Sequence, residues 1–126
     1  MITAKSLANN YQMELSGASA QTCIDVPKAK GGTGNGLQPF EMLLGGFAGC
    51  LSITLRMLLD KKQIKYRAVK VTADEDRTAE PGTMIISFKV ELDADISEEE
   101  KAECIKRAFD KCPVHNALEG NIEFRH

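Results

Sequence analysis

The sequence predicts an α+β fold with a mainly antiparallel sheet, in a single domain spanning residues 1–126. Three observations carry this expectation. Short strand-like runs open the chain, one long apolar helical stretch follows Pro39, and two period-two segments precede a second helical pattern. Strands and helices are thus segregated along the chain, whereas a doubly wound parallel sheet would alternate them.

The opening runs are Lys5–Leu7, Tyr11–Leu15 and Thr22–Val26, with Asn9-Asn10 as a turn between the first two. From Pro27 to Pro39 the chain reads Lys-Ala-Lys-Gly-Gly-Thr-Gly-Asn-Gly, which superficially looks like a phosphate cradle. It lacks the Gly-Lys-Ser/Thr ending of a P-loop and the spacing of a dinucleotide fingerprint, so it is read as a mobile connector.

Pro39 suits the first position of a helix, and Glu41 places an acid in the first turn, where the helix dipole favours it. The apolar residues Leu43, Leu44, Phe47, Leu51, Leu55, Leu58 and Leu59 carry the helix onward. No charge falls on any face between Met42 and Leu55, so this is not an amphipathic surface helix. It should be wrapped by protein, a second subunit included.

Beyond Lys61-Lys62 the period becomes two. Tyr66–Ala73 forms one strand, and Ile86, Phe88, Val90 and Leu92 alternate with polar neighbours in another, joined by a hairpin loop over Asp74–Gly82. Ser97 followed by Glu100 is a capping-box pattern opening a helix over Ser97–Lys111. Cys112-Pro113 interrupts that helix, Pro113 opens a short one that Gly120 ends, and Ile122 and Phe124 form a last edge strand.

Composition excludes several function classes. With 43% hydrophobic and 27% charged residues and a formal net charge of −2, no polybasic stripe asks for nucleic acid. Met1–Asn10 has no apolar signal core, and the uncharged stretch Met42–Leu55 falls short of the ~20 residues of a bilayer span, so no membrane partner is expected and the compartment is cytoplasmic. A domain this long buries roughly two-thirds of its unfolded surface without staples. The four cysteines, Cys23, Cys50, Cys104 and Cys112, are therefore thiols in a reducing compartment, and any disulfide among them is transient.

Two of these cysteines have informative surroundings. Cys50 ends the run Gly45-Gly46-Phe47-Ala48-Gly49-Cys50. A glycine inside a helix costs about 1 kcal/mol relative to alanine, and close packing around the cysteine is the simplest reason for three of them. On its own, Cys50 reads as a small core residue. Cys112 sits at the N-cap of a short helix, where free N–H groups and the dipole stabilise an anion and lower a thiol pKa, so it reads as reactive. His115, one turn on, is a second metal ligand, a base for the thiol or, first among these, an exposed and solvated side chain; no further Cys-x-x-Cys pair completes a metal site, and none is expected. Cys23 and Cys104 read as packing thiols.

Together, Gln38-Pro39-Phe40-Glu41-Met42-Leu43-Leu44-Gly45-Gly46-Phe47-Ala48-Gly49-Cys50 and Lys111-Cys112-Pro113-Val114-His115 resemble the two cysteine motifs of the OsmC/Ohr superfamily. The resemblance implies an OsmC-like fold, a sheet wrapped around a long central helix in an intertwined homodimer whose interface holds both cysteines. It also implies thiol peroxidase chemistry without a cofactor. The thiolate at Cys50 attacks an organic hydroperoxide, the sulfenic acid condenses with Cys112, and a dithiol reductant reopens the bridge. The peroxidases of the superfamily activate their first thiol with an N-terminal arginine. Here the first arginine is Arg56, which leaves Lys5, Lys28 or Lys30 for that role. Their arginine-orienting acid would fall at Phe40, whereas this chain has Glu41 one step later, a pattern similar to a less characterised branch; Glu41 is the third candidate catalytic residue. The alternative is a relative without turnover that binds or senses a small electrophilic or apolar ligand at the dimer interface.

Overall fold

The computed structural model describes residues 1–78 and 80–125, arranged as two compact units, Met1–Leu43 and Leu44–His126. The fold is α+β, as the segregated strands and helices predict.

In the first unit, strands β1 (Thr3–Ser6), β2 (Met13–Ser16) and β3 (Gln21–Ile24) form an antiparallel meander. Asn10, at φ 44°, makes the turn that Asn9-Asn10 announces. Of the three strands, β2 is the best covered, with Leu15 buried.

The glycine-rich segment that follows has a fixed shape, contrary to the expectation of a mobile connector. Asp25 is only 2% exposed and acts as its hub. Its carboxylate accepts the Val26 N–H at 2.7 Å and the Thr33 N–H at 3.0 Å, and the Thr33 hydroxyl also donates to it. A 3₁₀ turn at Lys28–Lys30 and a backbone pairing of Asp25 N with Leu37 O complete the loop. Gly32 is required here, because a Cβ would stand 2.1 Å from the Val26 carbonyl oxygen. A buried aspartate surrounded by donors replaces the regular hydrogen bonds that a loop lacks.

Helix α1 (Pro39–Lys61) starts where Pro39 predicts. Its first turn carries one half of a capping box: Glu41 Oε1, on the third helical residue, accepts the Gln38 N–H at 2.8 Å. By length and mean hydropathy, 1.7 over its best 18 residues, α1 could cross a bilayer, which corrects the expectation that the apolar stretch is too short. Its buried stripe of Phe47, Leu51, Leu55 and Leu59 is that of a core helix.

The second unit is built on that stripe. Strands β4 (Tyr66–Asp76) and β5 (Ile85–Ala94) form a separate antiparallel sheet with Val71 opposite Val90 and Ala73 opposite Phe88. The antiparallel pairing is thus divided between two sheets. Strand β4 reaches into the expected hairpin loop as far as Asp76, and Ala79 of that loop lies outside the described residues. A register shift at Tyr66/Ala68 turns Arg67 outward, where Asp93 and Asp95 clamp its guanidinium at 2.7 and 3.0 Å.

Helix α2 (Glu98–Lys111) opens on Ser97, whose Oγ accepts the Glu100 N–H at 3.1 Å. Cys104 and Ala108 are its buried face. Helix α3 (Pro113–Glu119) follows after Cys112. Ile122 and Phe124 form no strand, against expectation: both are exposed, at 57% and 91%, and no neighbouring strand among the described residues offers them a ladder. The core joins the α1 stripe to Leu92 and Ala94 of β5, to Cys104 and Ala108, and to Cys112.

Two outcomes are expected. Leu55→Ala should lower the urea-unfolding free energy by about 3 kcal/mol, the cost of emptying a fully buried leucine site. Hydrogen bonds, that of the Thr33 hydroxyl foremost, hold the Asp25 carboxyl below its usual 3.8. The stabilisation it gives is therefore complete above that value and lost as pH falls towards the folded pKa. Amide protection at Val26 and Thr33 should stay constant down to about pH 4 and collapse below it. Asp25→Asn, which turns one acceptor into a donor, should show weak protection throughout.

Candidate functional site

Cys50 and Cys112 meet in the second unit. Cys50 belongs to the middle of α1, one residue before the buried Leu51, and is half-buried against the core cluster that contains Cys112. The two thiols belong to one packed cluster, close enough for Cys50 to raise the Cys112 pKa, and neither is in a disulfide. The bend between α2 and α3 makes this possible. Cys112 is at once the C-cap of one helix, with its N–H bonded to Phe109 O, and the residue before the first turn of the next. Pro113 cannot continue α2, so the chain turns there and leaves the Cys112 side chain pointing into the core.

The electrostatics of Cys112 reverse the sequence-based expectation. Its side chain has no exposed surface, and burial, the largest influence, pushes its pKa above the 9.0 of a free thiol. The His115 and Val114 N–H groups at the start of α3 act in the anticipated direction and pull it down, while the neighbouring Cys50 raises it further. The N-cap argument identifies real donors, but it omits the desolvation that a 0% exposed sulfur incurs.

Glu41 is engaged as the cap of α1, through its contact with the Gln38 N–H. Cys104 is fully buried in the core, a packing thiol. Cys23 is half-buried on β3, its thiol directed at the Asn35 carbonyl, 3.5 Å away.

His115 is buried, at 9% exposure, not solvated as the sequence suggests. Its ring stacks on Phe109 with centroids 3.7 Å apart; Phe109 stacks on Phe88 at 5.0 Å, and Phe88 meets Phe47 edge-on at 5.4 Å. Nδ1 lies 2.8 Å from the Phe109 carbonyl oxygen, which only accepts, so Nδ1 carries a proton. Nε2 lies 2.9 Å from Glu119 Oε2. Neither nitrogen is offered to a thiol as a base. No group of three His, Cys, Asp or Glu side chains among the described residues is placed to hold a metal ion.

This aromatic ladder is the feature that sequence reasoning missed. Phe47, Phe88 and Phe109 lie on three different elements, and only their packing reveals that they border a cavity of about 530 Å³ together with His115, Leu118 and Glu119. The signal available in the sequence was limited to each of the three lying at an apolar-periodic position of its own element.

Comparison with known proteins agrees with this architecture. The family model described as OsmC-like protein matches residues 32–126. Among curated relatives, the uncharacterized protein YmaD of Bacillus subtilis is 28% identical over 114 residues, covering 82% of this chain and 75% of its own. The organic hydroperoxide resistance protein-like 1 of Staphylococcus saprophyticus is 26% identical over 102 residues, covering 78% and 72%. The crystal structure of an OsmC-like protein from Mycoplasma pneumoniae superposes with a TM-score of 0.83 at 27% identity, over 95% of this chain and 86% of that one. With the family match spanning most of its length and both thiols, the chain belongs to the OsmC-like protein family.

Proposed function

We propose that this protein is a thiol-dependent peroxidase that reduces organic hydroperoxides through Cys50 and Cys112. The observation that carries the reading is the placement of a half-buried thiol beside a fully buried one in the same core cluster, in a family with relatives named for organic hydroperoxide resistance. Cys50, the more accessible of the two, attacks. Its thiolate bonds to the terminal oxygen of the hydroperoxide, the O–O bond breaks, and the alcohol leaves with a proton. The sulfenic acid at Cys50 then condenses with the Cys112 thiol, forming the S–S bond and releasing water. An external dithiol reduces the bridge by two exchange steps. The compartment that suits this cycle is the reducing cytoplasm.

The division of labour follows from burial. A thiol with no exposed surface and a raised pKa is a poor first nucleophile but is protected from solvent oxidants, so it reacts with the sulfur beside it.

The working unit is proposed to be a homodimer. On α1 the residues Gly45, Gly49, Ile53 and Met57 form a line at i, i+4 spacing, about 200° round the helix from the buried stripe. Ile53 is 52% and Met57 67% exposed, and among the described residues, the neighbouring turns of the helix aside, no atom lies within 4 Å of where a Cβ would stand on Gly45, Gly46 or Gly49. The close packing expected around these glycines is therefore not made within the chain. A second copy of the helix laid along this face accounts for both the glycines and the exposed apolar residues. Cys50 borders the same face, so the partner would complete its surroundings and supply the activating cation, for which Lys5, Lys28 and Lys30 are the candidates. Ile53→Lys combined with Met57→Lys should convert a two-chain species into a one-chain species by sedimentation, with the far-UV circular dichroism retained.

Three measurements test the cycle. With cumene hydroperoxide and dihydrolipoamide, the wild type should consume peroxide over many turnovers, and Cys50→Ser should fall to the uncatalysed rate. Cys112→Ser should trap a sulfenic acid that a dimedone-type reagent labels once per chain. Loss of one equivalent of thiol without turnover would instead mean that the protein traps an electrophile. Because the Cys112 pKa is raised above 9.0, its thiolate fraction should climb about tenfold per pH unit throughout the neutral and mildly alkaline range. Stopped-flow measurement of disulfide formation should accordingly show a rate still rising at pH 9, with no plateau near 8.

A further inference from the structure

The cavity of about 530 Å³ beside α3 falls in the size range of small-molecule sites, and neither Cys50 nor Cys112 lines it. Its walls are mostly apolar, the Phe47–Phe88–Phe109 ladder and Leu118 foremost, with Thr83 among the remaining lining residues. One end is different, because His115 and Glu119 sit there together.

The polar atom at that end is unsatisfied. His115 Nδ1 is committed to the Phe109 carbonyl, and Nε2 is buried with no hydrogen bond, although Glu119 Oε2 stands 2.9 Å away. The distance suffices for a hydrogen bond, so it is the angle that fails, and the contact is one of proximity only. An unpaired buried polar atom is costly, and in this core it is the exception. The side chain beside it is loosely held: Glu119 is 71% exposed and can swing off Nε2 when a better-placed hydroxyl arrives.

We propose that this cavity binds an uncharged molecule with a flat apolar body and one hydroxyl, the body against the phenylalanine ladder and the hydroxyl on His115 Nε2. A hydroxyl both donates and accepts, so it can hydrogen-bond to Nε2 whether that atom offers a lone pair or a proton. Glu119 sets the second rule of selection. Its carboxylate at the polar end repels a ligand carboxylate, so an acid of the same shape is rejected while an alcohol is accepted. The site goes beyond the thiol chemistry, and its occupancy requires no turnover.

The test uses the reduced, full-length protein without peroxide or reductant, so a chain devoid of peroxidase activity gives the same answer. Binding of 2-phenyl-2-propanol, isopropylbenzene and 2-methyl-2-phenylpropanoate is followed by titration calorimetry and by the ring resonances of His115. The alcohol should bind and shift those resonances. Isopropylbenzene, lacking the hydroxyl, should bind about tenfold more weakly, the effect of one hydrogen bond. The carboxylate should bind more weakly still, and Glu119→Gln, an isosteric change at an exposed side chain, should restore much of its affinity without altering that of the alcohol. Leu118→Trp should fill the cavity and abolish all binding. Equal affinity for the three probes, indifference to Glu119→Gln, or unshifted His115 resonances would each overturn the proposal, and none of these outcomes depends on Leu118→Trp folding.

Discussion

The constraint on which the structure depends is that α1 has two apolar faces and a single chain covers only one. Phe47, Leu51, Leu55 and Leu59 repeat every fourth residue and are all buried at 3% exposure or less. Each fully buried leucine contributes roughly 2 kcal/mol of transfer free energy, enough in sum to fasten β5, α2 and the α2–α3 bend onto the helix. Everything in the second unit that concerns the thiols follows from this, because Cys50 rides on α1 beside Leu51 and Cys112 enters the core from the bend. The opposite face has the same spacing but ends in glycines and exposed side chains.

The chemical consequence is a pair of thiols in unequal surroundings. At the edge between the two faces, Cys50 keeps access to whatever approaches that side of α1. Cys112 is sealed, and its sulfur is subject to three influences that oppose one another: desolvation and Cys50 raise its pKa, while the first N–H groups of α3 lower it. Desolvation wins. A helix start activates a cysteine only when water or a cation shares the task, and here the start is buried beneath the core.

Much of this was legible in the sequence, for reasons that can be named. The start of α1 at Pro39, the Ser97 cap and the stop at Cys112-Pro113 are local chemistry, set by missing N–H groups and side-chain acceptors within three residues. The pairing of Cys50 with Cys112 was legible only through resemblance, since they are far apart in sequence and spacing says nothing of their contact. What stayed hidden was burial. The exposure expected for His115 and the low pKa expected for Cys112 both failed because a residue's solvent is set by other elements, here Phe109 and the α1 stripe. The ordered loop after β3 was missed because Asp25 reads as an ordinary polar residue until its donors are known. The final strand failed for a related reason: Ile122 and Phe124 have the composition of a strand, but pairing needs a neighbour, and composition does not supply one.

The glycines of α1 connect these threads. Within the chain they are a cost, about 1 kcal/mol each against alanine, with no contact in return. Gly45 and Gly49 stand on the exposed line with Ile53 and Met57, and Gly46 lies beside it, so the cost falls where the helix lacks a partner. Small residues let another backbone approach closely, and only an approach from outside the chain can use that freedom. The same approach would bring new groups up to Cys50, whose own unit leaves it half-buried. In the proposed dimer, stability and reactivity would therefore be coupled through a single surface: a partner on the glycine line would both offset their cost and set the environment in which Cys50 ionises.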